Sequence, residues 1–163
     1  MKQYLYHGSK FDNQDKPLLP GFYHTQIEVF WDGKFESNKF LYACDSAAAA
    51  IMLGVGSLAE KDLKSIGFKY DDDGKEVIFM FDKDDFIQPK ELEKQLKGKT
   101  MFLYTIRMRP THGWIENDNP YNNIEGEYKT PKSIPSNDYV MAEIEILKWL
   151  KDNDRKIVTE IRD

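Results

Sequence analysis

Tyr4-Leu5-Tyr6-His7-Gly8-Ser9 decides how the chain is read, because an apolar, aromatic run ends there abruptly in an imidazole, a glycine and a small hydroxyl. Tyr4 to Tyr6 has the residue types of a short strand. Gly8 lets the backbone turn and come close to something flat, so His7 is held at a strand end rather than on a loose loop, with room for a ligand across the glycine. A plain strand before a turn contains the same residues. The weight of the reading therefore rests on partners elsewhere in the chain.

The whole chain sets bounds on those partners. Its 163 residues suffice for one domain, 1–163, with a real core, and are too few for two comfortable ones. With 40% hydrophobic and 13% aromatic residues it folds without staples, and the aromatic excess favours sheets and flat-ligand pockets over a helical bundle. A formal net charge of -5 argues against a dedicated nucleic-acid or anionic-membrane surface, while leaving local basic patches open. The single cysteine, Cys44, rules out an intrachain disulfide and a cysteine-based zinc site, and it fits a reducing compartment. The apolar start is too short for a signal peptide, and no run approaches the ~18 apolar residues of a membrane span, so a cytoplasmic protein is expected.

Along the chain, Lys10 to Lys39 mixes prolines and glycines with Phe22, Tyr23, Phe30, Trp31 and Phe35, and reads as an ordered loop with short strand pieces. His24 within it earns no role alone. Phe40 to Cys44 reads as a second apolar strand. Asp45-Ser46 then offers an N-cap to a helix over Ala47 to Leu53 that stops at Gly54. Four alanines make a smooth helix able to approach a neighbouring backbone, which is also what high helix propensity gives anywhere. A further helix is predicted over Ser57 to Ile66, and a hairpin joins Phe68–Tyr70 to Glu76–Phe81 through Asp71-Asp72-Asp73-Gly74. Those aspartates lack the spaced ligands of a calcium loop, and no metal site is expected.

Pro89 to Leu96 fits a short helix, and Thr100 to Met108 is the longest β-type run, expected as a central strand. Asp118 to Glu127 is a polar loop leading into Glu127-Tyr128-Lys129-Thr130. Tyr139 to Ile146 alternates apolar and polar like a strand with one wet face, and a helix over Leu147 to Lys151 precedes a charged tail. Mostly strands, with helices gathered in the first two-thirds, suit an α+β domain built on a mainly antiparallel sheet.

Three separated pieces then add up. Tyr6-His7-Gly8-Ser9, Leu41-Tyr42-Ala43-Cys44-Asp45-Ser46 with its alanine-rich helix, and Gly126-Glu127-Tyr128 together resemble, in the same order, the motifs of the ADP-ribosyltransferase family. The resemblance is to its His-Tyr-Glu branch, which includes diphtheria-type toxins and poly(ADP-ribose) polymerases. It implies a split, mainly antiparallel sheet with flanking helices, and cleavage of NAD at the nicotinamide–ribose bond with transfer of ADP-ribose to an unidentified acceptor. From the acidic balance, protein is expected as that acceptor ahead of nucleic acid.

Carried over residue by residue, the resemblance implies that His7 hydrogen-bonds a ribose hydroxyl of NAD. Gly8, beside Ser9, would hold the nicotinamide amide through its backbone. Tyr42 would stack on the ring, and Glu127 would be the catalytic carboxylate. The chemistry makes sense without the name: a developing oxocarbenium ion needs a fixed anion, and a flat cationic ring needs an aromatic face. Two departures stand out. The family's second stacking tyrosine falls where this chain has Ile51, Met52 and Leu53, and Glu125 rivals Glu127 as the acid. Glu127 is preferred because Tyr128 follows it and Ile134 falls where the family's strand continues. A non-catalytic nucleotide- or protein-binding domain of the same fold stays open beside the enzyme, and an RNA 2′-phosphotransferase is disfavoured by the acidic balance.

Overall fold

The computed structural model describes residues 3–20, 30–31, 34–35, 40–51, 67–71, 75–117 and 126–162. The strands of the first half are β1 (Tyr4–Ser9), β2 (Phe30–Trp31), β3 (Lys34–Phe35), β4 (Leu41–Cys44), β5 (Gly67–Asp71) and β6 (Glu76–Phe81). Helix α1 is described over 47–51, between β4 and β5. After β6 come α2 (Pro89–Leu96), β7 (Thr100–Arg107), β8 (Ile115–Glu116), β9 (Glu127–Thr130), β10 (Tyr139–Glu145), α3 (Ile146–Asp152) and β11 (Lys156–Ile161). His24, Met52, Leu53, the helix expected over Ser57 to Ile66, the Asp72–Gly74 turn and Glu125 lie outside the described residues.

Six strands form one sheet in the order β10-β7-β1-β4-β9-β8, and every neighbouring pair in it is antiparallel. The long β-type run is central as expected, since β7 pairs with β1 from Tyr4↔Arg107 to Ser9↔Phe102 and with β10 on its other side. A second sheet, β11-β6-β5, contains the expected hairpin as β5 and β6. The molecule is therefore α+β with mainly antiparallel sheet. Two readings are corrected. Ile134 does not continue the strand opened by Glu127, for β9 ends at Thr130 and Ile134 bridges Leu18. The charged tail is a strand, β11, paired in parallel with β6 from Lys156↔Glu76 to Ile161↔Phe81.

Period-2 alternation sends side chains of the large sheet into cores on both of its faces. On one face Leu5, Leu41, Ala43, Tyr104, Ile106 and Tyr139 meet Leu18 and Ile134, which are themselves bridged backbone to backbone. On the other, Met101 packs with Val77, Phe79 and Phe81 of β6 and with the buried stripes of α2 and α3. Those stripes are Leu92 with Leu96 and Ile146 with Leu150, each pair four residues apart and so stacked on one helix face. Burying one such Phe or Leu side chain is worth about 1.5–3 kcal/mol, so the helices are held chiefly by these anchors.

Buried polar groups pin the connections. The Tyr104 hydroxyl donates to Phe11 O (2.7 Å) and accepts from Asn13 N (2.9 Å), while the Tyr139 hydroxyl donates to Lys16 O (2.6 Å) and accepts from Asn13 Nδ2 (2.9 Å). Two core tyrosines thus hold the segment after β1. Around Pro110–His112, the indole N–H of Trp114 can only donate, so His112 Nδ1 accepts it (3.2 Å) and Nε2 carries the proton given to Asp138 Oδ2 (2.8 Å). That bond, with Arg109 Nε at 2.7 Å from Oδ1, holds the Asp138 carboxyl below the usual carboxylate range. The Thr130 hydroxyl closes the network on His112 O at 2.5 Å.

Candidate functional site

β1, β4 and β9 are consecutive neighbours in the sheet, so the strands carrying His7, Tyr42 and Glu127 lie side by side. β4 pairs with β9 along its whole length, from Leu41↔Thr130 to Cys44↔Glu127. Its ladder with β1 consists of the single pair Tyr6↔Cys44. Past that pair the link is a side chain, for His7 Nδ1 lies 2.7 Å from Tyr42 O. A carbonyl oxygen only accepts, so Nδ1 bears the proton, and in the neutral ring Nε2 is the acceptor nitrogen. The imidazole also leans on Tyr104, with ring centroids 5.9 Å apart.

Side-chain direction divides the candidates. Register partners share a face, so Tyr6, Cys44 and Glu127 form one row, and Tyr42 with its partner Lys129 lies on the same face. His7 alternates to the Tyr104 side and reaches the other strands through the seam, by its bond to the Tyr42 carbonyl. The structure thus brings Tyr42 and Glu127 onto one surface and ties His7 to Tyr42 through the backbone.

Glu127 opens β9 nearly buried, at 9% exposure. Asn117 Nδ2 donates to its Oε1 at 2.6 Å, and the Asn117 backbone N–H donates to Glu127 O at 2.9 Å. Burial lifts the Glu127 carboxyl above the usual carboxylate range, against the opposing pull of the Asn117 bond and the Lys129 charge. Burial likewise pushes the Cys44 thiol up, helped by the carboxylates of Glu127 and Asp45. The acid is fixed from behind as well. Asp45 N–H donates to Gly126 O (2.9 Å), and Gly126, at φ +79°, lies so close that a Cβ there would overlap the Asp45 carboxylate. Ser46 caps α1, its Oγ accepting from Ala49 N at 3.4 Å.

Three candidates find structural work. An added Cβ on Gly8 would overlap the Ala50 carbonyl oxygen and lie 2.7 Å from Met101 Cε, so the close approach that this glycine permits is made by α1. Ser9 is buried at 1% exposure, and its Oγ accepts the Phe11 N–H at 3.0 Å. Tyr42 meets Phe40 edge to face at 6.3 Å, with the Lys129 ammonium 4.6 Å from the Phe40 ring. Ile51, at the near edge of the expected second tyrosine position, is fully buried in the core shared with Phe79 and Leu92.

Asn117 escapes sequence reasoning because a lone asparagine ten residues before an acid carries no motif. Its backbone pairing next to β8 is what aims it. No group of three or more His, Cys, Asp or Glu side chains among the described residues could hold a metal ion, and no described helix is long and apolar enough to cross a membrane. Compared with known proteins, the chain matches no protein-family model, no curated protein and no solved structure.

Proposed function

We propose that the chain is an NAD-dependent ADP-ribosyltransferase of the His-Tyr-Glu branch, with that family's split-sheet fold, cleaving NAD at the nicotinamide–ribose bond and passing ADP-ribose to an acceptor, expected to be a protein. The observation that supports this best is the seam between β1 and β4, where pairing stops after Tyr6↔Cys44 and His7 takes over by bonding Tyr42 O, one strand from Glu127. In this reading His7 hydrogen-bonds a ribose hydroxyl through Nε2. Tyr42 stacks on the nicotinamide and Glu127 stabilises the oxocarbenium-like transition state, while Gly8 and Ser9 act by seating α1 and the segment after β1. A carboxylate fixed by Asn117 in a water-poor site needs no reorganisation as that charge develops.

Three observations favour a second reading, a non-catalytic nucleotide- or protein-binding domain of the same fold. His7 turns toward Tyr104 on the sheet face opposite Tyr42 and Glu127. Ile51 packs in the core at the near edge of the missing tyrosine position, and burial disfavours the charged form of Glu127 that catalysis needs. Incubation with labelled NAD, alone and with cell lysate, separates the two. Glu127→Gln is expected to lower nicotinamide release by about 100-fold or more with NAD binding largely kept, since the carboxylate acts in the transition state. Wild-type protein that binds NAD without turning it over establishes the second reading, and protein that neither binds nor cleaves NAD refutes the enzyme.

A further inference from the structure

β10 is an edge strand of the large sheet. β7 is its one neighbour there, and the two pair without a bulge from Tyr139↔Ile106 to Glu145↔Thr100. Just past that ladder the Ile146 N–H donates to Lys99 O at 3.1 Å, so the even-numbered residues of β10 exchange their backbone bonds with β7. The odd-numbered ones point their N–H and C=O groups outward, and those of Met141 and Glu143 bond no other described residue. Natural edges are blunted by proline, lysine or a bulge, and β10 has none of these. Val140, Ala142 and Ile144 lie on one face of the strand. Val140 is 73% exposed, more than any other large hydrophobic side chain described, and Ala142 is exposed beside it.

We propose that β10 pairs antiparallel with β10 of a second copy of this chain about a two-fold axis at Ala142, joining the two large sheets edge to edge. The strand's own sequence selects this occupant. Centred on Ala142, every residue from Tyr139 to Glu145 finds a partner: Tyr139 meets Glu145 of the copy, Val140 meets Ile144, Met141 meets Glu143, and Ala142 meets itself. No glutamate opposes a glutamate, and Glu143 meets its own copy only on the diagonal, about 7–8 Å away. Met141 and Glu143 exchange the outward bonds, which makes Ala142 a non-hydrogen-bonded pair, the closest approach in the ladder, where a small side chain fits. Val140 gains an apolar partner in Ile144, which packs against the core of Phe79 and Leu92. Neighbouring registers fail. Centring on Glu143 sets two identical carboxylates against each other, and centring on Met141 runs the pairing into the 3-10 turn Ser136–Asp138. Such pairing is independent of the NAD reading.

The test is sedimentation equilibrium of the whole chain, where the 19.1 kDa mass should double by about 100 µM protein. Ala142→Glu puts like charges face to face at an exposed position and should weaken the dimer by about 100-fold or more. Mixing it with Ala142→Lys should restore association, which a merely misfolded variant would not do. Ala142→Cys reads the register directly, because Cα atoms about 4.5 Å apart across the axis are within reach of a disulfide. Two Val140→Cys positions would stand about 14 Å apart along the strands and should not cross-link. The native Cys44 is buried and does not compete. A monomer at about 100 µM, a dimer unaffected by Ala142→Glu, no gain on mixing the two charged variants, or cross-linking at 140 in place of 142 would each overturn the proposal.

Discussion

Replacing Gly8 by alanine tests whether α1 is seated directly on β1. An ideal Cβ at Gly8 overlaps the Ala50 carbonyl oxygen and approaches Met101 Cε to 2.7 Å. Met101 is a flexible neighbour and can swing aside, whereas Ala50 O is backbone and can yield only if α1 retreats by about 1 Å. Forcing a methyl into packed structure costs about 1–3 kcal/mol, and a backbone obstacle puts this site at the upper end. Gly→Ala also stiffens the unfolded chain, returning about 0.4–1 kcal/mol. The net loss is about 2 kcal/mol. With a urea m-value of about 2 kcal/mol/M, the midpoint of urea unfolding should fall by about 1 M. Gly98→Ala is the control, because nothing lies within 4 Å of its Cβ and only its φ of +77° opposes the change, for a loss of about 1 kcal/mol. A Gly8→Ala protein as stable as wild type, with only NAD binding impaired, would refute the packing argument and return the glycine to the ligand.

Two further outcomes follow from the buried polar groups. Tyr104→Phe strips partners from the Phe11 carbonyl and the buried Asn13 amide and should cost about 2 kcal/mol, read as a melting temperature lower by roughly 4–8 °C. In the wild type, burial pushes the Tyr104 hydroxyl up to about 12, so its stabilisation should hold below the ordinary tyrosine value near 10 and be lost as pH rises through 12. A Phe variant whose alkaline unfolding matched wild type would contradict this. Glu127 has the same sign at lower pH. Its raised carboxyl contributes stability that is full below the unfolded value near 4.3 and declines as pH rises through the folded one. Glu127→Gln, which keeps an acceptor for Asn117, should therefore be the more stable protein at pH 7, with the gap closing toward pH 4. Denaturation midpoints across that range would show a constant gap if burial were not the cause.

Local pattern carried much of this fold. Val77, Phe79 and Phe81 alternate, and so define β6 and its buried face. The run from Thr100 marks β7, Leu92 and Leu96 mark the seated side of α2, and Ser46 caps α1 where the polar pair before the alanines indicated. The three motif stretches were legible as strands as well. What their side chains meet was not, because it depends on register. One pair, Tyr6↔Cys44, is where β1 and β4 join, and it sends Glu127 and Tyr42 to one face and His7 toward the other.

Sequence alone determined the elements whose period or punctuation is written in their own residues. Tertiary structure decided the rest through partners distant in the chain. Lys156–Ile161 reads as a charged tail because only Ile157 turns a largely buried side chain inward, and it is a strand because the edge of β6 supplies a parallel ladder. Gly8 reads as a ligand contact, and the carbonyl of Ala50 is what occupies that space. Asn117 carries no signal until the backbone pairing beside β8 brings its amide to Glu127. In each case the deciding energy is a contact between residues that local periodicity does not relate.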